Sequence, residues 1–371
     1  MMSDLALYVH IPFCASKCRY CDFLSFADRP GLINRYMETL ADEISDSYDE
    51  YGDRCVSSIY IGGGTPSLIP EEDIGMIFER IRAVYDLRPD AEISIEVNPG
   101  SADSDKLAAY RSFGINRLSI GLQSANDDEL ARIGRIHTRS GFENTYRAAR
   151  ECGFDNINID LIFSLPGQDK DTYAGTLKYV LDLKPEHISA YSMQLEEGTY
   201  LYEHSDEYEW PDEDEDRDMY HMSVRMMGEA GYDRYEISNF ARPGYECRHN
   251  IVYWRGGEYL GFGIGAASYA GGSRFRNTEV IEEYLHGVRC SESTRLSEAD
   301  EMSEFMFLGL RMSTGVRRPD FLDRFGKDMD EVYGHQISGC VRDGLMCDEK
   351  GTLFLTEKGF DISNYVFAKF I

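Results

Sequence analysis

Cys14, Cys18 and Cys21 stand in the run His10-Ile11-Pro12-Phe13-Cys14-Ala15-Ser16-Lys17-Cys18-Arg19-Tyr20-Cys21-Asp22-Phe23, whose Cys-x3-Cys-x2-Cys spacing brings three thiolates within reach of one iron–sulfur cubane. Such clusters are normally held by four cysteines. Three leave one iron open to a small molecule, as catalytic zinc sites keep an open position. The competing readings are a zinc site or three unrelated core thiols. Zinc knuckles usually combine Cys-x2-Cys or Cys/His pairs from two places, and no second such pair occurs here. An open iron suits chelation by the amine and carboxylate of an amino acid. S-adenosylmethionine (SAM) supplies both, and one electron from a reduced cluster cleaves its sulfonium to a 5'-deoxyadenosyl radical.

That chemistry needs backbone donors, acceptors for a ribose and an aromatic beside the adenine. Gly62-Gly63-Gly64-Thr65 offers close backbone approach with a hydroxyl; Glu96, Gln123 and Asp160 are acceptors; Arg135 is a fork for a carboxylate; Tyr8 and Tyr20 flank the cysteines. Singly each is weak, and their placement along the chain decides. Apolar β-rich runs over 5–13, 56–61, 91–97, 117–122, 156–162 and 187–193 alternate with helical patterns over 32–48, 71–84, 105–113, 127–133, 141–152 and 170–183. Six β/α units in series mean a parallel sheet. The candidate residues, with Asn98, Ser192 and Gln194, fall at the C-terminal ends of different strands, and in a barrel those ends converge. A doubly wound sheet would gather its ligand contacts at one switch point. The expected fold is therefore α/β, a curved and open partial (β/α)6 barrel. Asp160 agrees, because a carboxylate inside an apolar strand is costly unless it faces a ligand or a partner.

At 371 residues the chain suggests one large domain and a smaller one. Past the barrel the sequence reads as a helix over 219–230, a glycine-dense stretch over 256–272, helices over 298–310, 319–325 and 329–343, and a hairpin over 345–356. The expected division is a cluster-bearing barrel over 1–200, a connecting segment over 201–290 and a helical, winged-helix-like domain over 291–371. Winged helices often bind DNA, but this one lacks a basic stripe and reads as a packing or substrate-covering unit. The run 261–266 has the look of a dinucleotide fingerprint, yet 255–259 is not an apolar strand opening a βαβ unit. A tight turn at the barrel rim is the better reading.

Sixty-six acidic residues against 38 basic ones give a net charge of −28, a field that repels nucleic acid. The densest acidic stretch, 203–218 with its core at 212–216, reads as a solvated loop. Residues 1–13 lack a basic leader, no apolar run nears the roughly 18 residues of a membrane span, and the cysteines are odd in number, so they read as cytosolic thiols. A cytoplasmic location follows.

The runs Tyr8-Val9-His10-Ile11-Pro12-Phe13-Cys14, Gly62-Gly63-Gly64-Thr65-Pro66-Ser67, Glu96-Val97-Asn98-Pro99, Ser119-Ile120-Gly121-Leu122-Gln123-Ser124, and Asp160-Leu161-Ile162 through Leu165-Pro166-Gly167 resemble the radical SAM family of oxygen-independent coproporphyrinogen III oxidases and their relatives, the HemW-type heme chaperones. The resemblance spans nearly the whole chain. It implies a [4Fe-4S] cluster on Cys14, Cys18 and Cys21, and SAM contacts from Tyr8, Tyr20, Gly63, Gly64, Thr65, Glu96, Gln123, Arg135 and Asp160. It also implies heme as a ligand, heme-accepting proteins as partners, and an electron donor if SAM is cleaved. Oxidases of this family carry a further cysteine two residues after the third ligand, where this chain has Phe23, and a longer N-terminal segment. His249-Asn250-Ile251-Val252-Tyr253-Trp254 is similar to the His-Asn-x-x-Tyr-Trp motif of the chaperones. Imidazole is a standard axial ligand of heme iron, so the expectation is that His249 ligates heme and Tyr253 and Trp254 pack on the porphyrin. The alternative is a core histidine among packing aromatics. Two rivals remain: oxidative decarboxylation of coproporphyrinogen III, and radical chemistry on another tetrapyrrole.

Overall fold

The computed structural model describes residues 4–371. The first three residues, which open both the stretch read for a leader and the first expected domain, lie outside the described residues. Six strands, β1 (Leu5–Ile11), β2 (Cys55–Gly63), β3 (Asp86–Val97), β4 (Arg117–Gln123), β5 (Ile157–Phe163) and β6 (His187–Ser192), pair in parallel in chain order. Helices such as Glu71–Val84 and Lys170–Leu183 cross between them. Period-two alternation fixes the faces. Ile93, Ile95, Leu118, Ile120, Ile157, Ile159 and Leu161 are buried in the core shared with the helices. The opposite face carries Ser58, Tyr60, Glu92, Ser94, Glu96, Ser119, Asn158 and Asp160, so the inner face of this sheet is polar.

Six further strands extend the sheet: β7 (Asp233–Arg234), β8 (Asn239–Ala241), β9 (Tyr259–Phe262), β10 (Ala267–Ala270), β11 (Ser273–Asn277) and β12 (Cys290–Arg295). The order is β12-β11-β10-β9-β1-β2-β3-β4-β5-β6-β8-β7, a series with two free edges, which makes the barrel an open one. The glycine-dense stretch is therefore not a turn alone. β9 pairs in parallel with β1, and β10 returns antiparallel. Gly261 permits this, since a Cβ there would lie 2.3 Å from the Ala267 carbonyl oxygen. The turn between the two strands uses positive φ at Gly263 and Gly265. A hairpin rather than a helix follows β9, so no dinucleotide unit forms.

The acidic core at 212–216 also departs from expectation. It is a helix start: Asp212 caps the Glu213–Glu229 helix with its side chain and forms a capping box with Glu215. Carboxylates in a first turn complement the positive end of the helix dipole, which a charge count alone does not reveal. Toward the C-terminus, the expected three helices appear as Glu298–Gly309, Arg318–Phe325 and Met329–Arg342. The hairpin, β14 (Met346–Glu349) and β15 (Thr352–Leu355), gains a third strand, β13 (Val316–Arg317). These elements enclose a separate core that includes Met306, Phe321, Ile337, Leu353 and Val366.

Candidate functional site

The cysteines lie on the loop that follows β1. Cys14 N–H donates to the Phe26 carbonyl (3.0 Å) and Phe26 N–H to that of Pro12 (2.6 Å), closing the loop at its base. The three-glycine turn ends β2 beside it. Gly63 has φ +120, and a Cβ on Gly64 would sit 2.8 Å from Cys14 Sγ, so only glycine lets the turn approach the thiol. Thr65 Oγ1 stands 3.6 Å from the same sulfur.

One cavity of about 430 Å³ joins these loops to the strand ends. Its lining includes Cys14, Cys18, Cys21, Tyr20, Gly63, Gly64, Thr65, Glu96, Gln123, Arg135 and Asp160. Residues from β2, β3, β4, β5 and β6 facing one space require a curved sheet, the convergence expected of a partial barrel. Among the described residues no three His, Cys, Asp or Glu side chains converge on a point that one metal ion would occupy; all three thiols line the cavity. Burial pushes the Cys21 thiol up to about 11, and coordination is what ionises such a thiol.

The carboxylates are poised the same way. Glu96 accepts from the Tyr60 hydroxyl (3.1 Å) and from Gly63 N–H (3.0 Å). Burial, reinforced by the Asp160 charge, raises its carboxyl to about 7. Asp160 accepts from Ser119 Oγ (2.9 Å) and Asn158 Nδ2 (2.8 Å), and burial still pushes its carboxyl up. Both are half-buried and line the cavity. Gln123 holds a left-handed φ of 67, and its buried Oε1 has no partner among the described residues. Strain, an orphaned acceptor and raised carboxyls on one cavity are the marks of a ligand site. The residues fit a cluster with SAM.

Three expectations change in detail. Arg135 donates to Asn98 Oδ1 (2.9 Å), the Gly121 carbonyl (2.9 Å), His137 Nδ1 (3.3 Å) and Cys18 Sγ (3.6 Å), and also engages the Tyr20 hydroxyl. It braces the wall instead of offering a free fork. Tyr8 does not line the cavity; its hydroxyl meets His10 Nδ1 at 3.0 Å and its ring stacks on Tyr60. His249 is also outside it, only 1% exposed, with Nδ1 on Ser58 Oγ (3.0 Å) and Nε2 on the Tyr253 hydroxyl (2.7 Å). Burial pushes its imidazole down to about 3. Tyr253 stands edge-on to His249 and Tyr259, and Trp254 lies under the Arg311 guanidinium. No nitrogen of His249 is open to an iron in this arrangement, so a heme does not fit there.

Tyr60 and Tyr191 line the cavity as well and lie outside every motif, while Ser119, which opens one of the motif runs, was not expected to face it. The alternation of polar with apolar residues over 58–61 and 92–96 was the available signal.

Residues 8–180 match the model of the Radical SAM superfamily, and residues 296–362 match that of the HemN C-terminal domain. A heme chaperone HemW of Lactococcus lactis is 35% identical over 370 residues, covering 98% of this chain and 96% of that protein. HemW proteins of Bacillus subtilis and Escherichia coli are each 33% identical, the first covering 98% of both chains and the second 96% of both. The structure of coproporphyrinogen III oxidase HemN from Escherichia coli, a radical SAM enzyme, superposes with a TM-score of 0.88 at 25% identity, covering 99% of this chain and 90% of that one. A polar-lined partial barrel with three cysteines at its mouth, matched end to end by these relatives, places the chain in the HemW heme-chaperone family of radical SAM proteins.

Proposed function

We propose that this protein binds heme and hands it to heme-accepting proteins, with a [4Fe-4S] cluster on Cys14, Cys18 and Cys21 and SAM in the adjoining cavity. The observation that carries the reading is Phe23. It lines the cysteine cavity, 62% exposed, at the position where oxidases of the resembling family carry a further cysteine. Tyr20, Gly63, Gly64, Thr65, Glu96, Gln123 and Asp160 would hold SAM, and Arg135 would keep Cys18 and the Gly121 strand end in place. When bound, the pair supplies a one-electron route to sulfonium cleavage; an electron donor is required only if that route is used. The protein's part is to hold Glu96 and Asp160 against the cavity, largely away from bulk water.

The proposed division of labour follows the chain. Residues 1–200 carry the cluster site, 201–290 back the barrel, and 291–371 pack as a covering unit. Among the described residues no helix is long and apolar enough to cross a membrane. The transfer is placed in the cytoplasm, with any membrane reached through a partner.

Anaerobic assay of the reconstituted protein tests the reading. Stoichiometric hemin binding, transfer to an apo-hemoprotein and no conversion of coproporphyrinogen III are expected. Turnover of coproporphyrinogen with SAM and reductant would overturn it in favour of the oxidase.

A further inference from the structure

The Arg248–Trp254 helix, which carries the His-Asn-x-x-Tyr-Trp motif, is tied to the barrel floor at every available point. Its N-cap residue, Cys247, gives it no side-chain cap. The Glu92 carboxylate of β3 does so instead, accepting from Arg248 N–H (3.1 Å) and His249 N–H (3.0 Å). Glu92 also accepts from Cys247 Sγ (3.5 Å), and Ser58 of β2 engages the imidazole itself. A neutral imidazole has one donor and one acceptor nitrogen, and here both are used.

From this anchored ring, contacts run upward to the cavity. The Tyr60 ring lies against His249, centroids 5.3 Å apart with 31° between planes. Its hydroxyl donates to Glu96, whose other oxygen receives Gly63 N–H, the start of the turn beside Cys14. A second route reaches Asp160. Cys247 N–H donates to the Tyr235 hydroxyl (3.2 Å), which meets His187 Nε2 (2.9 Å); His187 Nδ1 meets Asn158 Oδ1 (2.6 Å), and Asn158 donates to Asp160. The motif and its N-cap Cys247 thus reach both cavity carboxylates through intermediaries, while none of residues 249–254 lines the cavity.

We infer that His249 is a positioning residue of the SAM cavity, holding Tyr60 so that its hydroxyl fixes Glu96, and that it is not the axial ligand of heme. The inference rests on the cavity being the SAM site. Removing the imidazole leaves the Tyr60 ring unsupported on one face and frees the Ser58 hydroxyl. Glu96 then loses a fixed donor and the glycine turn loses its anchor. Iron content should be largely kept, because His249, Tyr60 and Glu96 have no hydrogen bond to any of the three cysteines among the described residues, and only the turn that ends the route lies beside Cys14.

The test uses full-length reconstituted protein as wild type, His249→Ala, Tyr60→Phe and the double variant. SAM affinity is measured by equilibrium binding and hemin affinity by its absorption band. Tyr60→Phe removes one hydroxyl and serves if His249→Ala folds poorly. Each single variant should weaken SAM by about tenfold, the effect of one lost hydrogen bond to a charged group. The double variant should be no weaker than the worse single, since both act through the same contact. Hemin affinity and spectrum should stay as in wild type throughout. Loss of hemin binding or a changed spectrum in His249→Ala overturns the inference, as do fully additive SAM effects or unchanged SAM affinity in Tyr60→Phe. A wild-type protein that binds no SAM would instead bring down the cavity reading on which this rests.

Discussion

Two groups of polar residues occupy the same inner face of the barrel, one at the mouth and one deeper. At the mouth are Glu96, Ser119, Asp160 and Gln123; beneath them are Ser58, Glu92, Asn158 and His187, met by His249 from its helix. Their compositions are alike, but their hydrogen bonding is not. In the lower layer, Glu92 serves two backbone N–H groups and a thiol, and both nitrogens of His187 and of His249 are paired. In the upper layer, the carboxyls of Glu96 and Asp160 are pushed up by burial and Gln123 keeps an unpartnered oxygen. Unpartnered atoms occur at both depths, Ser94 Oγ and two nitrogens of Arg117 below and Gln123 Oε1 above, but only Gln123 lines the cavity and so faces a ligand. The difference separates the two candidate cofactor positions that motif reading treated alike.

The sharpest way to break the contrast is to cut one layer and read both properties. Cys18→Ser at the mouth should remove most of the iron and the broad visible absorbance on reconstitution. The apo protein should unfold at the same denaturant concentration as wild type, since among the described residues the sulfur's side-chain hydrogen bond comes from the partly buried Arg135 guanidinium alone. Iron retained at wild-type level would contradict the cluster assignment.

Glu92→Ala should do the opposite. It strips the acceptor from two helix N–H groups and removes a carboxylate whose charge acts on the buried Arg117. Breaking one side of a buried charged arrangement costs about 3–5 kcal/mol. The expected result is a clear fall in unfolding midpoint, with the cysteine site still able to take up iron in the folded fraction. A midpoint within experimental error of wild type would mean that the lower layer is not a structural network.

Much of the mouth was legible because its signals are local. Three cysteines in eight residues, a glycine turn ending a strand, and acceptors at strand ends sit where the β/α series says they must. The lower layer was not legible, because its partners are far apart in sequence: Glu92 meets His249 across 157 positions and Ser58 meets it across 191. A lone histidine in a motif reads as a ligand until the carboxylate that caps its helix is seen. The strands β9 to β11 were hidden for another reason. Glycines at 261, 263 and 265 suggest a turn, whereas Gly261 serves close strand approach, which only the partner strand reveals. The acidic run at 212–216 is solvated as expected but opens a helix and not a loop, because a capping box and a charge run share one composition.

The smallest expected effect is the most specific to the mouth, and its sign follows from Glu96. Its carboxyl stands at about 7 in the folded apo protein against an ordinary 4.5. Between those values the native state binds more protons than the unfolded one, so stability falls as pH rises through this window. Each unit of separation corresponds to about 1.4 kcal/mol, making the contribution of this group on the order of 3 kcal/mol. Asp160 is pushed up as well and adds to the slope. Glu96→Gln carries no titrating proton and keeps one acceptor oxygen for the Gly63 N–H, as the protonated carboxyl does; it should match wild type near pH 5 and be more stable near pH 8. Urea unfolding of both proteins across that range reads the difference directly, and parallel profiles would show that Glu96 is not held in the protonated form. Saturating SAM should flatten the wild-type slope if its contacts favour the ionised carboxylate, which ties the titration to the cavity and not to the layer below it.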